Sequence, residues 1–166
     1  MHNIRFLIGG YAGKRKFMRL GSNYAYADND EVCGLTRLGG KDCFSVSAHP
    51  FGDFTALQYL SYCRSLVGFS PLGKREMADI CAAIGIKLSP DKKIKRYSVI
   101  GRRLLSLAAG YKEGCDMRIN LDGYKYTPRR KRILKKTLLR LAKKSDVTVS
   151  VSDKRFCRGF SPLVIT

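Results

Sequence analysis

The segment from Ser98 to Asp122 constrains the fold more than any other part of the chain. Ser98 is a good helix N-cap, and apolar residues then recur at helical spacing as far as Gly110. After a turn, Ile119 and Leu121 alternate with polar residues, as in a buried strand, and Asp122 stands where that strand should end. The pattern predicts a helix, a turn and a strand that ends in a carboxylate. Ligands gather at the carboxyl ends of strands in open parallel sheets, so Asp122 is a candidate site residue.

A glycine-rich turn follows the first predicted strand, Ile4 to Ile8. A strand, a glycine turn, a lysine and a helix make the P-loop arrangement, in which backbone N–H groups hold phosphate and the lysine reaches the terminal phosphates. The candidate phosphate-binding residues are therefore Gly10, Gly13, Lys14, Arg15, Lys16 and Asp122. The alternative is an ordinary strand-to-helix turn, because Ile8 replaces the first glycine of the full pattern and Arg15 replaces the hydroxyl that holds magnesium.

Further helices and strands are predicted from periodicity and capping residues. One helix begins near Asp53 or Thr55, and a second runs from Lys74 to Ile84. Another begins at Thr127 and Pro128, with Pro at the first helical position. Its predicted core stripe consists of Ile133, Leu134, Leu138 and Leu141, and the predicted strands are Cys43 to Ser47 and Asp146 to Ser152.

The order of these segments resembles the ATPase domain of ATP-binding-cassette (ABC) proteins. In that family a Leu-Ser-Gly-Gly signature opens a helix and an Ile-Leu-Asp-Glu strand follows it, and here Ser98 and Asp122 stand at those places. Asp30 to Leu35 is similar to a turn that the family carries before its next strand. The helix after Asp53 is similar to the region that touches the membrane subunit in transporters.

The resemblance, which runs from Ile4 to Phe156, implies the architecture. We expect an α/β fold with a P-loop NTPase-like, mostly parallel sheet flanked by helices. We also expect a single domain over residues 1–166 with a small helical subdomain at about 54–110. The family's N-terminal β-subdomain has no counterpart, because Ile4 already begins the P-loop strand.

Most of the family's catalytic residues are replaced. The sensing glutamine is replaced by Ala48 or Ser47, the signature glycines by Val99 and Ile100, the catalytic glutamate by Gly123 and the switch histidine by Asp153. A glycine cannot orient the attacking water, so hydrolysis should fall by several orders of magnitude. The resemblance therefore implies a pseudo-ATPase that is not an enzyme and needs no cofactor, and it leaves open whether ATP binds without turnover. The alternative is an active enzyme. In that case Asp122 or Asp153 acts as the general base and Lys14 holds phosphate.

The positive charge is concentrated in the second part of the chain. Residues 1–60 hold 7 basic and 5 acidic side chains, whereas residues 61–166 hold 25 and 8, within a net charge of +19. One predicted helix face carries no acid, and one-sign faces repel themselves, so a polyanion is the expected partner. The candidate polyanion-binding residues are Arg129, Arg130, Arg132, Lys135, Lys136, Arg140 and Lys143. A solvated helix face is the alternative.

Two functions remain open. The first is an interaction or regulatory subunit that pairs with an active ABC ATPase or a permease, and the second is a nucleic-acid- or ribosome-binding protein on the same fold.

No apolar run is long enough to span a membrane and no signal peptide is apparent, which predicts a cytoplasmic protein held at a membrane only through a partner. The six cysteines form no C-x-x-C pair, so buried thiols are expected and no metal site.

Overall fold

A mostly parallel sheet organises the fold. The computed structural model describes residues 4–9, 32–38, 41–46, 51–65, 70–111, 116–121, 126–160 and 163–165. The strands within these ranges are β1 (Ile4–Gly9), β2 (Val32–Leu38), β3 (Lys41–Val46), β4 (Asp116–Asn120), β5 (Val147–Ser150) and β6 (Leu163–Ile165). They form one sheet in the order β3-β2-β4-β5-β1-β6.

The strand directions confirm the predicted α/β class. β4, β5, β1 and β6 run parallel to one another, whereas β2 runs antiparallel to both β3 and β4. Parallel strands need crossover connections, and a helix follows β4 before the chain returns as β5. The result is the P-loop NTPase-like sheet that the order of segments predicted.

The middle of the sheet is buried on both faces. Phe6, Leu7 and Ile8 of β1 are all buried, and so is every residue of β5. Consecutive burial is expected where helices cover both faces of parallel strands. β5 therefore occupies an interior position, between β1 and β4.

Four helices surround this sheet in the described ranges: α1 (Ala56–Ser65), α2 (Lys74–Ile84), α3 (Val99–Gly110) and α4 (Pro128–Leu141). Two short 3-10 helices span Ile94–Arg96 and Lys154–Cys157. Before α1, the Thr55 N–H donates to Gln58 Oε1 (2.8 Å) and the Gln58 N–H donates to Thr55 Oγ1 (3.2 Å), a reciprocal capping box. The predicted caps Ser98 and Thr127 also accept backbone N–H donors, at the starts of α3 and α4.

Two local predictions are wrong. Ile133 was placed in the core stripe of α4, but it is 37% exposed, and Thr137 instead joins Leu134, Leu138 and Leu141 in the buried face. The reason is the angular position of Ile133 on the helix, which is to one side of the face formed by Leu134, Leu138 and Leu141. The predicted turn at Asp30–Leu35 gives way to β2 from Val32 onward, because pairing with β3 and β4 satisfies the backbone on both sides.

Buried thiols lie at three described positions. Cys63, Cys81 and Cys157 are buried and free of disulfides, and burial raises the pKa of the Cys81 and Cys157 thiols. Within the described ranges, no group of three or more His, Cys, Asp or Glu side chains is arranged to hold a metal ion. None of the helices in these ranges combines the length and the apolar character that crossing a membrane requires.

Candidate phosphate-binding edge and basic helix

The carboxyl ends of β1, β5 and β4 share one edge of the sheet. Leu7, Ser150 and Asn120 align across the three strands. Just beyond this row, the Val151 N–H donates to the Leu7 carbonyl oxygen (3.1 Å) and the Leu121 N–H donates to the Ser150 carbonyl oxygen (2.9 Å). Each strand ends within two residues of the row, so the segments that follow all leave the sheet at this edge.

The predicted phosphate-binding residues follow β1 and β4 in the sequence. Gly10, Gly13, Lys14, Arg15, Lys16 and Asp122 lie outside the described residues. The sequence continues into them from Gly9, the last residue of β1, and from Leu121, which directly follows β4. Since β5 separates the two strands, β1 and β4 lie about 10 Å apart, or two strand spacings.

Asp153 follows β5 at the same edge of the sheet. Its side chain contacts one cation and one backbone N–H group. Its carboxylate forms an ion pair with Lys131 of α4 and accepts the Arg155 N–H (2.9 Å), which begins the 3-10 helix. The hydrogen bond from Lys131, followed by the Arg155 backbone donor, lowers the pKa of Asp153 below its usual value of 3.8. An unpaired acid at this edge would repel phosphate, and the ion pair to Lys131 reduces that repulsion.

α4 is the most basic element of the structure. Its buried face is formed by Leu134, Thr137, Leu138 and Leu141. Of the predicted polyanion-binding residues, five are exposed: Arg129, Arg132, Lys136, Arg140 and Lys143. The first four lie on the helix, and Lys143 lies in the turn directly after it. These five residues are called the basic stripe below.

The other two predicted polyanion-binding residues are only half-buried, and one of them has internal partners. Lys135 Nζ donates to the Arg158 carbonyl oxygen (2.5 Å) and lies 4.9 Å from the centre of the Phe160 ring. Together with the ion pair between Lys131 and Asp153, these contacts attach one side of α4 to residues 153–160. Arg130 is half-buried near the start of the helix. The structure thus divides the seven predicted polyanion-binding residues into the exposed basic stripe and two half-buried residues nearer the packed side of α4.

An aromatic cluster before and within α1 was missed by the sequence reasoning. The Phe51 ring lies 5.3 Å from Phe54 and 5.1 Å from Tyr62, and Phe54 and Tyr62 are 6.2 Å apart. Phe54 is 37% exposed and Tyr62 is 38% exposed, whereas the neighbouring Tyr59 is fully buried. The eight-residue step from Phe54 to Tyr62, about two helical turns, was the available signal. Phe51, Phe54 and Tyr62 are called the aromatic patch below.

The start of α3 occupies the place of the family signature. Ser98 Oγ accepts the Gly101 N–H (3.2 Å), and the side chain of Val99 is 45% exposed in the first turn. Gly101 is close to the Tyr97 ring, since an added Cβ would meet Tyr97 Cδ1 at 3.0 Å. The segment therefore acts as a helix cap, and Val99 and Ile100 place side chains where the family has glycines.

The sheet order and the shared carboxyl edge fit a P-loop NTPase-like fold, and solved structures share it. The chain resembles a protein of Pyrococcus furiosus assigned as an ABC transporter ATP-binding protein, at 19% identity and a TM-score of 0.55, over 92% of this chain and 79% of that one. It also resembles the ADP conformation of MJ1267, an ATP-binding cassette of an ABC transporter (16% identity, TM-score 0.58, 91% and 70% covered).

A third similar structure is a nucleotide-free ATP-binding cassette from an ABC transporter, with 12% identity and a TM-score of 0.60, over 99% of this chain and 78% of that chain. No protein-family model and no curated protein sequence matches the chain. At these identities the likeness concerns the fold, which is that of an ABC ATPase domain.

These matches contradict the prediction that the chain is not an enzyme. The structures that share its fold are ABC ATPases, which are enzymes. That prediction depended on single residues, among them Arg15, Ala48 and Gly123, all of which lie outside the described residues. Replacing individual side chains leaves the scaffold in place, so the missing motif residues were not sufficient grounds for excluding activity.

Proposed function

We propose that this chain is an ABC ATPase-like subunit that works bound to a protein partner, in an assembly of the ABC-transporter kind. In this proposal the phosphates of a nucleotide bind beside Gly10, Gly13 and Lys14, and the partner docks on the aromatic patch. The exposed aromatic patch is the observation that carries the proposal.

The aromatic patch has the character of a docking site. Aromatic side chains bury a large apolar area, so leaving Phe54 and Tyr62 more than a third exposed forgoes stabilisation that folding would otherwise provide. Exposed aromatic clusters mark interaction sites, and aromatic residues dominate the binding energy of protein interfaces. The patch also rests on a rigid base, because Tyr59 is fully buried and its ring centre lies 5.9 Å from that of Phe51.

Charged groups border the patch. Asp53, beside Phe54, forms ion pairs with Lys95 (2.6 Å) and Lys93 (3.8 Å). The hydrogen bond and charge of Lys95 lower the pKa of Asp53, so the carboxylate is ionised at neutral pH. An apolar centre with a polar rim is the usual anatomy of a protein interface. The patch also belongs to the segment that resembles the family region in contact with a membrane subunit.

Site-specific photo-crosslinking in the native host tests this proposal. A benzophenone amino acid is placed at position 54 or 62 and, as a matched control, at Ile133, which is equally exposed (37%) but lies on α4. We expect positions 54 and 62 to crosslink to one partner, identified by mass spectrometry as a membrane-embedded subunit or a second ATPase. The same products at position 133, or none at both 54 and 62, would contradict the proposal.

A further inference from the structure

The basic stripe has a geometry that neither the fold nor the proposed partner explains. Arg129, Arg132, Lys136 and Arg140 follow one another at spacings of three, four and four residues, and Lys143 comes three residues later. On an α-helix this spacing keeps the four helical cations within a band about 80° wide. We propose that the basic stripe binds the phosphate backbone of a nucleic acid duplex.

The stripe faces away from the protein. Leu134, Leu138 and Leu141 are fully buried, and the centre of the stripe lies about 150° around the helix from that face. From Arg129 to Arg140 the helix rises about 16 Å, so successive cations lie about 5–6 Å apart. A regular row of positive charge on a straight, rigid element matches the regular row of negative charge along a duplex strand.

Among the residues that the structure describes, no acidic side chain forms an ion pair with the basic stripe. No acidic residue occurs between Thr127 and Ser145. Within the described parts of the chain, the ion pair recorded for α4 joins Lys131, on a different side of the helix, to Asp153. Neighbouring like charges three or four residues apart destabilise a helix, so the stripe acts against folding until an anion binds.

Arg140 also lies close to α2. Gly85, the C-cap of α2, has a positive φ of 67°, and a Cβ added there would overlap the Arg140 guanidinium. The Arg140 side chain nevertheless remains exposed and so is available to a phosphate.

The alternatives fit less well. A membrane-surface helix inserts its apolar face into the lipid, but the apolar face of α4 is buried in the protein. Protein interfaces depend on aromatic anchors, and single-stranded nucleic acids need aromatic side chains for base stacking. α4 has no aromatic residue, so a duplex backbone is the partner that its chemistry favours.

Fluorescence anisotropy with the full chain tests the proposal. The probes are labelled 20-base-pair DNA and RNA duplexes, a 20-nucleotide single strand, and vesicles containing 30% phosphatidylserine. If five phosphates are neutralised, the log–log salt slope for duplex DNA should be about −4.5, which corresponds to about 500-fold weaker binding at 200 mM than at 50 mM salt. Binding of either duplex with such a slope supports the proposal.

Matched variants locate the binding surface. The double variant Arg132→Gln/Lys136→Gln removes two positive charges and should reduce the magnitude of the log–log salt slope by about 2. The double variant Arg132→Lys/Arg140→Lys keeps both charges and should retain the slope of the parent chain. The control Lys92→Gln/Arg96→Gln removes the same charge from exposed positions on another segment and should leave the slope unchanged. Removing the stripe charges relieves repulsion, so these variants should fold at least as stably as the parent chain.

Several results would overturn the proposal. The proposal is wrong if neither duplex binds at 50 mM salt, or if the stripe and control variants lose the same amount of salt slope. It is also wrong if the single strand binds more tightly than the duplexes, or if only the vesicles bind. Phe54→Ser, which disrupts the aromatic patch, should leave duplex binding unchanged. The test is therefore independent of the proposed docking function.

Discussion

Asp153 illustrates how a single residue can have a role that its position in a motif does not reveal. The resemblance placed it where the family carries a switch histidine. In the structure its carboxylate joins two elements, since it pairs with Lys131 of α4 and caps the 3-10 helix through the Arg155 N–H. The partners are 22 residues apart in sequence, and no periodic pattern predicts such a pair.

The first prediction concerns this ion pair. Asp153→Asn keeps a capping side chain but removes the charge, so we expect a loss of about 1 kcal/mol in the free energy of unfolding at pH 7. Because Lys131 lowers the pKa of Asp153 below 3.8, the parent chain gains this stability above about pH 4 and loses it as the pH falls through the lowered pKa. Urea unfolding from pH 3 to 7 measures the difference.

Lys131→Gln provides the matched control. In a double-mutant cycle, Asp153→Asn and Lys131→Gln should be non-additive at pH 7 and additive well below pH 4, because the pair is then already broken by protonation. A stability difference that stays the same from pH 7 to pH 3 would show that the charge of Asp153 is not the cause.

At the scale of elements, the sequence predicted helices better than it predicted their exposed and packed sides. The bounds of α2 agree with the predicted Lys74 to Ile84, and the caps Ser98 and Thr127 are confirmed, because capping and periodicity are local properties. The exposure of Ile133 follows from its angular position on the helix, to one side of Leu134, Leu138 and Leu141, which apolar spacing alone did not resolve. Tertiary contacts decide whether Arg140 or Lys135 is available to a ligand.

The second prediction tests the contact between α2 and α4. Gly85→Ala places a Cβ in a left-handed conformation and against the Arg140 guanidinium, whereas Gly159→Ala meets only the conformational strain, with nothing within 4 Å. We expect Gly159→Ala to lower the free energy of unfolding by about 1 kcal/mol and Gly85→Ala to lower it by at least twice as much. Urea unfolding of the two variants measures both changes.

Shortening the arginine isolates the overlap. In the Gly85→Ala/Arg140→Ala double variant, the cost of Gly85→Ala should fall to that of Gly159→Ala, because the new Cβ then has space. If the two glycine variants are equally destabilised, the guanidinium moves aside freely and is not confined by α2.

At the scale of the whole molecule, the strand order is the part of the fold that matters most for function. The sequence predicted parallel strands, and the structure confirms this for β1, β5 and β4, whereas the candidate site residues lie outside the described residues. The insertion of β5 between the other two strands could not be read from the sequence, because strand order depends on long-range pairing. The aromatic patch is a local feature, since Phe51, Phe54 and Tyr62 lie within twelve residues of sequence, and what could not be predicted is how the loop before α1 folds onto that helix.

The last prediction concerns the nucleotide. If Lys14 follows β1 as a P-loop lysine, ATP at one hundred times its Kd should stabilise the parent chain by about 2.7 kcal/mol, which raises Tm by about 5–10 °C. Lys14→Ala should abolish this shift, because the lysine reaches the terminal phosphates. For the same reason AMP, which lacks those phosphates, should produce little shift with the parent chain.

A strongly basic protein also attracts ATP non-specifically, so the Arg132→Gln/Lys136→Gln variant is the necessary control and should keep the full shift. An ATP shift that survives Lys14→Ala but disappears in the stripe variant would place the nucleotide on α4 and contradict a P-loop site at the edge of the sheet.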